Sequence, residues 1–94
     1  MRYRAKIDRN QPDIVKALRK VGCTVQSLAA VGKGCPDLLV GRHGRNWLME
    51  VKDGESKDKR SVLLTPDEMQ WFADWDGQVI KVCSVEEALK VVTT

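Results

Sequence analysis

The stretch Pro36-Asp37-Leu38-Leu39-Val40-Gly41-Arg42-His43-Gly44-Arg45-Asn46-Trp47-Leu48-Met49-Glu50-Val51-Lys52 decides how this chain folds. Two apolar runs, 36–41 and 46–52, flank the short turn Arg42-His43-Gly44-Arg45 and predict a β-hairpin, with Gly44 free to take positive φ. A turn about His43-Gly44 sets Arg42 against Arg45 and Gly41 against Asn46. Counting outward, Asp37 stands directly across from Glu50. Directly opposed residues have Cβ atoms roughly 4.5–5.5 Å apart, and like charges there repel unless something compensates them. Alternation along the strand puts Glu50 and Lys52 on one face and sends Trp47, Met49 and Val51 to the other.

Outward from the hairpin, the remaining elements follow from caps and periodicity. Asn10 is a candidate N-cap and Pro12 suits the first turn of a helix reaching about Val21, where Gly22 stops it. Ile14, Leu18 and Val21 mark its buried face. Cys23–Leu28 reads as a strand, followed by the glycine-bearing loop Val31-Gly32-Lys33-Gly34. Residues 53–64 read as a charged loop. Thr65-x-x-Glu68 with Pro66 opens a second helix that ends near Gly77. Val79–Val82 is a short buried strand, and Ser84-x-x-Glu87 opens a third helix with its stripe at Val85, Ala88, Leu89 and Val92. The expected order is α-β-β-β-α-β-α: an α/β fold with a small mixed sheet flanked by helices. The second helix would be the crossover between parallel strands three and four, in the usual right-handed sense.

Length and composition bound the class. Ninety-four residues suit one domain, 1–94. A hydrophobic fraction of 43% with 31% charged residues is that of a globular protein. Arg2, Arg4, Lys6, Asp8 and Arg9 lead into no apolar run, so no secretory signal is expected, and no stretch approaches the roughly 20 apolar residues of a membrane span. The expected setting is cytoplasmic, in a bacterium or a phage-infected cell. Cys23, Cys35 and Cys83 fit neither a disulfide framework nor a zinc site and read as small apolar residues. The net charge of +3 gathers at Arg2, Arg4, Lys6 and Arg9, along the first helix, at Arg42 and Arg45, and at Lys57, Lys59 and Arg60. Such clusters suit phosphate contacts, although most charge runs are solvated faces.

The hairpin carries the chemistry. Two opposed carboxylates beside one ammonium suit a hard cation such as Mg²⁺, which takes one or two carboxylates plus waters and phosphate oxygens. Such a cation would relieve the repulsion and acidify a water, while Lys52 positions that water or stabilises charge on a phosphate. The bland reading makes Asp37 and Glu50 surface acids with Lys52 their salt-bridge partner. Glu-x-Lys alone is common. Its conjunction with Pro36-Asp37 in register across a tight hairpin favours the functional reading.

Gly34-Cys35-Pro36-Asp37-Leu38-Leu39-Val40 followed by Leu48-Met49-Glu50-Val51-Lys52 resembles the motifs of the VRR-NUC nucleases, within the PD-(D/E)XK superfamily of restriction-like and junction-resolving enzymes. The segments Asp8–Val15 and Leu64–Gln70 resemble that family's two helices, so the likeness spans nearly the whole chain. The resemblance implies a restriction-endonuclease-like core and a Mg²⁺- or Mn²⁺-dependent endodeoxyribonuclease. It implies that Asp37, Glu50 and the carbonyl of Val51 hold the metal and that Lys52 completes the site. It also implies an acid or amide from the first helix, carried onto Gln11, where many relatives have Glu. A glutamine there can still hold a metal-bound water. Gln70 is a weaker candidate for the same pocket, and it reads equally well as solvent-facing.

Small stand-alone members resemble Holliday-junction resolvases, which implies branched DNA as substrate and a homodimer presenting two sites. On the second helix Met69, Phe72 and Ala73 form one stripe, which Trp71 and Trp75 widen. These indoles read either as a dimer interface or as core. Arg2, Arg4, Lys6, Arg9, Lys57, Lys59 and Arg60 are candidate DNA contacts of the positioning kind, since nothing here resembles a base-reading element. His43 reads as a turn residue. Two alternatives remain: a non-catalytic nucleic-acid-binding module of the same fold, and a nuclease for RNA, flaps or nicks.

Overall fold

A computed structural model describes residues 7–94. Its elements are α1 (Gln11–Lys20), β1 (Thr24–Ser27), β2 (Leu38–Arg42), β3 (Arg45–Val51), a single 3-10 turn (Lys59–Val62), α2 (Pro66–Asp74), β4 (Ile80–Val82) and α3 (Val85–Val92). The four strands lie in the order β1-β2-β3-β4, antiparallel except for the parallel β3–β4 pair that α2 connects. The small mixed sheet is the one expected. Arg42 pairs with Arg45 and Leu38 with Met49, which is the register read from the turn. His43 and Gly44 take φ of 51° and 77°, as a two-residue hairpin of the primed type requires.

One sheet face is the core. Leu38, Val40, Trp47, Met49, Val51 and Val82 pack against Ile14 and Leu18 of α1 and Ala88 and Val92 of α3, with Cys23 alongside. The buried face of α1 is Gln11, Ile14 and Leu18, whereas Val21 is 38% exposed, so the helical stripe lies one turn earlier than the sequence suggests. Asn10 stands at the N-cap position without capping: its amide donates to the carbonyls of Lys52 (3.0 Å) and Cys83 (3.2 Å). It thereby ties the entry of α1 to the ends of β3 and β4. The Thr65–Glu68 capping box of α2 forms in full. At α3, Ser84 caps Glu87, but the Glu87 carboxylate accepts the Cys83 N–H instead of returning to the cap residue.

The opposite sheet face carries Glu50 and Lys52, and α2 begins over it. This helix buries none of its residues, so neither indole fills the core. Gln78 extends the sheet beyond Ile80, its amide accepting from the Leu48 N–H at 2.7 Å and donating to the Leu48 carbonyl at 3.3 Å. No helix among the described residues is long and apolar enough to cross a membrane.

Candidate active site

Pro36 shapes the site by what it lacks. Two residues beyond the Leu38–Met49 pair, the ladder would set position 36 against Val51, exchanging an N–H and a carbonyl in each direction. Proline has no N–H to give. The Val51 N–H, which a continued ladder would aim at the Pro36 carbonyl, donates to the Asp37 carboxylate, Oδ2 at 2.7 Å. The Val51 carbonyl points the same way as its N–H, toward β2, where Pro36 offers it no donor. One carboxylate is thus oriented at the end of the hairpin, beside a carbonyl oxygen with no ladder donor among the described residues.

Glu50 is 2% exposed, and its Oε1 is buried with no hydrogen-bond partner. Burial and the neighbouring Asp37 push its carboxyl up to about 10, with Glu68 adding in the same direction. Burial also raises Asp37, against the pull of the Val51 N–H. Lys52, 7% exposed, sets its ammonium 3.6 Å from Glu50 Oε2 and 2.6 Å from Glu68 Oε1. Burial pulls the Lys52 amine down, but Glu68, Glu50 and Asp8 together outweigh it and hold the amine above its ordinary value. Conversely, burial raises Glu68, and Lys52, the Thr65 N–H and Glu50 together more than cancel it, leaving that carboxyl below the usual range.

These groups form the floor of an open cleft of about 550 Å³. Asp37, Glu50 and Lys52 come together there as the sequence predicts. Asp8 and Glu68 join them, both absent from the sequence reading of the site. In the sequence Glu68 is legible only as a helix cap. Asp8 precedes α1 and has no local signature. Burial raises its carboxyl, against the pull of Lys52.

The structure leaves three expected residues out of the cleft lining: Val51, whose side chain lies in the core, Gln11 and Gln70. Gln11 shares the buried face of α1 with Ile14 and Leu18, at i, i+3 and i+7, and its Oε1 is buried without a partner. Gln70 is exposed and donates to Asp74 at 3.1 Å. It lies two residues past Glu68, roughly 200° around the helix, and so faces away. Among the basic residues, Arg60 lines the cleft, bound to Asp58 of its own loop, and Arg9 pairs with Asp53 at 3.0 Å. Lys57 and Lys59 are exposed. Arg2, Arg4 and Lys6 lie outside the described residues.

The donor set fits a hard divalent cation. Among the described residues no three His, Cys, Asp or Glu form a ready cage. Two adjoining carboxyls, one with an orphaned buried oxygen, and a carbonyl without a ladder donor are the partial set that Mg²⁺ takes when waters and phosphate complete its shell.

A hairpin and crossover helix that deliver Asp and Glu-x-Lys to one cleft define a restriction-endonuclease-like, nuclease-type domain. A solved structure described as a VRR_NUC domain is similar to this chain, with a TM-score of 0.57 and 30% sequence identity over 90% of this chain and 91% of that one. The chain belongs to the VRR-NUC family. No family model matches the sequence, and no curated protein does.

Proposed function

We propose that this protein is a Mg²⁺- or Mn²⁺-dependent endonuclease that hydrolyses phosphodiester bonds in branched DNA, four-way junctions above all, as a homodimer. The observation that carries the reading is the orphaned, buried Glu50 Oε1 beside Asp37. Such a pair is unfavourable in an empty protein and favourable around a cation. Asp37, Glu50 and the Val51 carbonyl would hold the ion, which supplies an acidified water and stabilises charge on the phosphate. Lys52 sits beside that position and donates toward the same developing charge. Lys57, Lys59 and Arg60, with Arg9 and the basic residues before it, would grip flanking phosphates.

Six acids line the cleft (Asp8, Asp37, Glu50, Asp58, Asp67 and Glu68) against two bases, Lys52 and Arg60. That balance repels DNA phosphate in the absence of a cation, which disfavours a non-catalytic DNA-binding module. The dimer rests on α2, where stacked Trp71 and Trp75, the latter 45% exposed, leave an apolar surface for a second copy.

End-labelled four-way junction and matched linear duplex, each incubated with Mg²⁺ or Mn²⁺, test this reading. Paired symmetric nicks in the junction are expected. Equal cutting of both substrates would remove the junction selectivity, and binding without cutting of any DNA would restore the non-catalytic module.

A further inference from the structure

We propose that Glu68 is the positioning residue for Lys52 and that it couples the seating of α2 to the floor of the cleft; this rests on the reading of Lys52 as catalytic. A lysine ammonium rides on four rotatable methylenes and is useful to a reaction only when something fixes it. Two carboxyls face Lys52. Glu50 at 3.6 Å is too far for a hydrogen bond, whereas Glu68 at 2.6 Å makes a short charge-assisted one. The partners' side chains are 9% and 16% exposed, so solvent screens the pair little. Glu50 also faces Asp37 and Glu68, so Glu68, at 2.6 Å, is the nearer of the two carboxyls to the Lys52 ammonium and the one hydrogen-bonded to it.

Glu68 is itself held from two sides. The oxygen that meets Lys52 also accepts the Thr65 N–H at 2.8 Å, and the Glu68 N–H returns to the Thr65 hydroxyl at 3.2 Å. A carboxylate oxygen has two lone pairs, so one atom serves both the helix cap and the lysine. The start of α2 in turn sits hard against the loop before β2. A Cβ placed on Gly34 would lie 2.3 Å from the Asp67 carbonyl oxygen. These contacts fix the first turn of α2, whose Trp71 and Phe72 are half-buried further along, and through Glu68 they bear on where Lys52 sits.

Glutamine caps helices as glutamate does but offers an ammonium only a neutral acceptor in place of an opposite charge, which separates the cap from the ion pair. Glu68→Gln, Thr65→Ala and Lys52→Ala are compared by thermal melting, by kcat and KM with Mg²⁺, and by the acylation rate of Lys52 in metal-free protein, read by mass spectrometry. Glu68→Gln is expected to melt with the wild type, keep its KM, and lose on the order of tenfold to a hundredfold in kcat. Its Lys52 should acylate several-fold faster. Thr65→Ala, which keeps the Thr65 N–H on the Glu68 carboxylate and loses only the hydroxyl cap on the Glu68 N–H, should melt lower while costing kcat and Lys52 protection clearly less than Glu68→Gln does. The proposal is overturned if Glu68→Gln keeps wild-type kcat and protection while Lys52→Ala is dead. It is also overturned if Thr65→Ala reproduces the Glu68→Gln losses, or if Glu68→Gln does not fold. Wild-type cutting by Lys52→Ala would bring down the catalytic reading, and this proposal with it.

Discussion

Asp37 Oδ2 lies 2.7 Å from the backbone nitrogen of Val51, in the place where the hairpin ladder would have used the residue at 36. That single bond aims the carboxylate, and Pro36 leaves the Val51 carbonyl without a ladder donor. Pro36→Ala restores an N–H able to reach that carbonyl. It should lower Mn²⁺ affinity several-fold in calorimetric titration while leaving the sheet intact. Unchanged affinity would show that the carbonyl takes no part in holding the ion.

Metal-free protein should lose stability as pH rises. Glu50 moves from an ordinary 4.5 up to about 10 on folding, because of burial and Asp37, and Asp37 moves in the same direction. A group whose folded value is raised contributes its stability below the unfolded value and loses it as pH climbs toward the folded one. Melting temperature in EDTA should therefore fall between about pH 5 and about pH 9, and Glu50→Gln should flatten the fall. Mg²⁺ should restore stability most at the alkaline end. A melting temperature that rises steadily with pH in EDTA would contradict this account of the pair.

The hairpin was legible because a two-residue turn and a period of two leave one register, and Asp37, Glu50 and Lys52 follow from it. The parallel β4 and the capping box of α2 were legible for similarly local reasons. Glu68 and Asp8 were not, because their approach to Lys52 depends on how α2 and the start of α1 settle over the sheet. The burial of Gln11 was not legible for a related reason: a polar residue at the first position of α1 looks solvent-facing, yet it shares a face with Ile14 and Leu18 and is buried with them. The Trp71–Trp75 pair shows a further limit, since helical spacing reveals an apolar arc without saying what covers it.

Two glycines of similar φ should respond differently to alanine. Gly44, at +77°, has nothing within 4 Å of an added Cβ, so Gly44→Ala should cost only the backbone strain of about 1–2 kcal/mol. Gly34, at +82°, meets the Asp67 backbone at 2.3 Å. Gly34→Ala should cost more in denaturant unfolding and also depress cutting, because it lifts the first turn of α2 and Glu68 with it. Equal costs at the two positions would mean that the Gly34 contact does not seat α2.

Trp71 and Trp75 stack with ring centroids 4.7 Å apart on a helix that buries none of its residues. Replacing both with polar residues should give folded monomers in sedimentation velocity, with junction cutting reduced to unpaired nicks. Dimers that persist in the variant would place the interface elsewhere.

The central claim is hydrolysis of DNA by a cation held between Asp37 and Glu50. The most direct measurement is cleavage of end-labelled branched DNA by wild-type and Glu50→Gln protein, each with Mg²⁺, Mn²⁺ or EDTA. The account predicts cutting by the wild type only with metal, and none by a Glu50→Gln protein that melts normally. Cutting in EDTA, or wild-type cutting by Glu50→Gln, would contradict it.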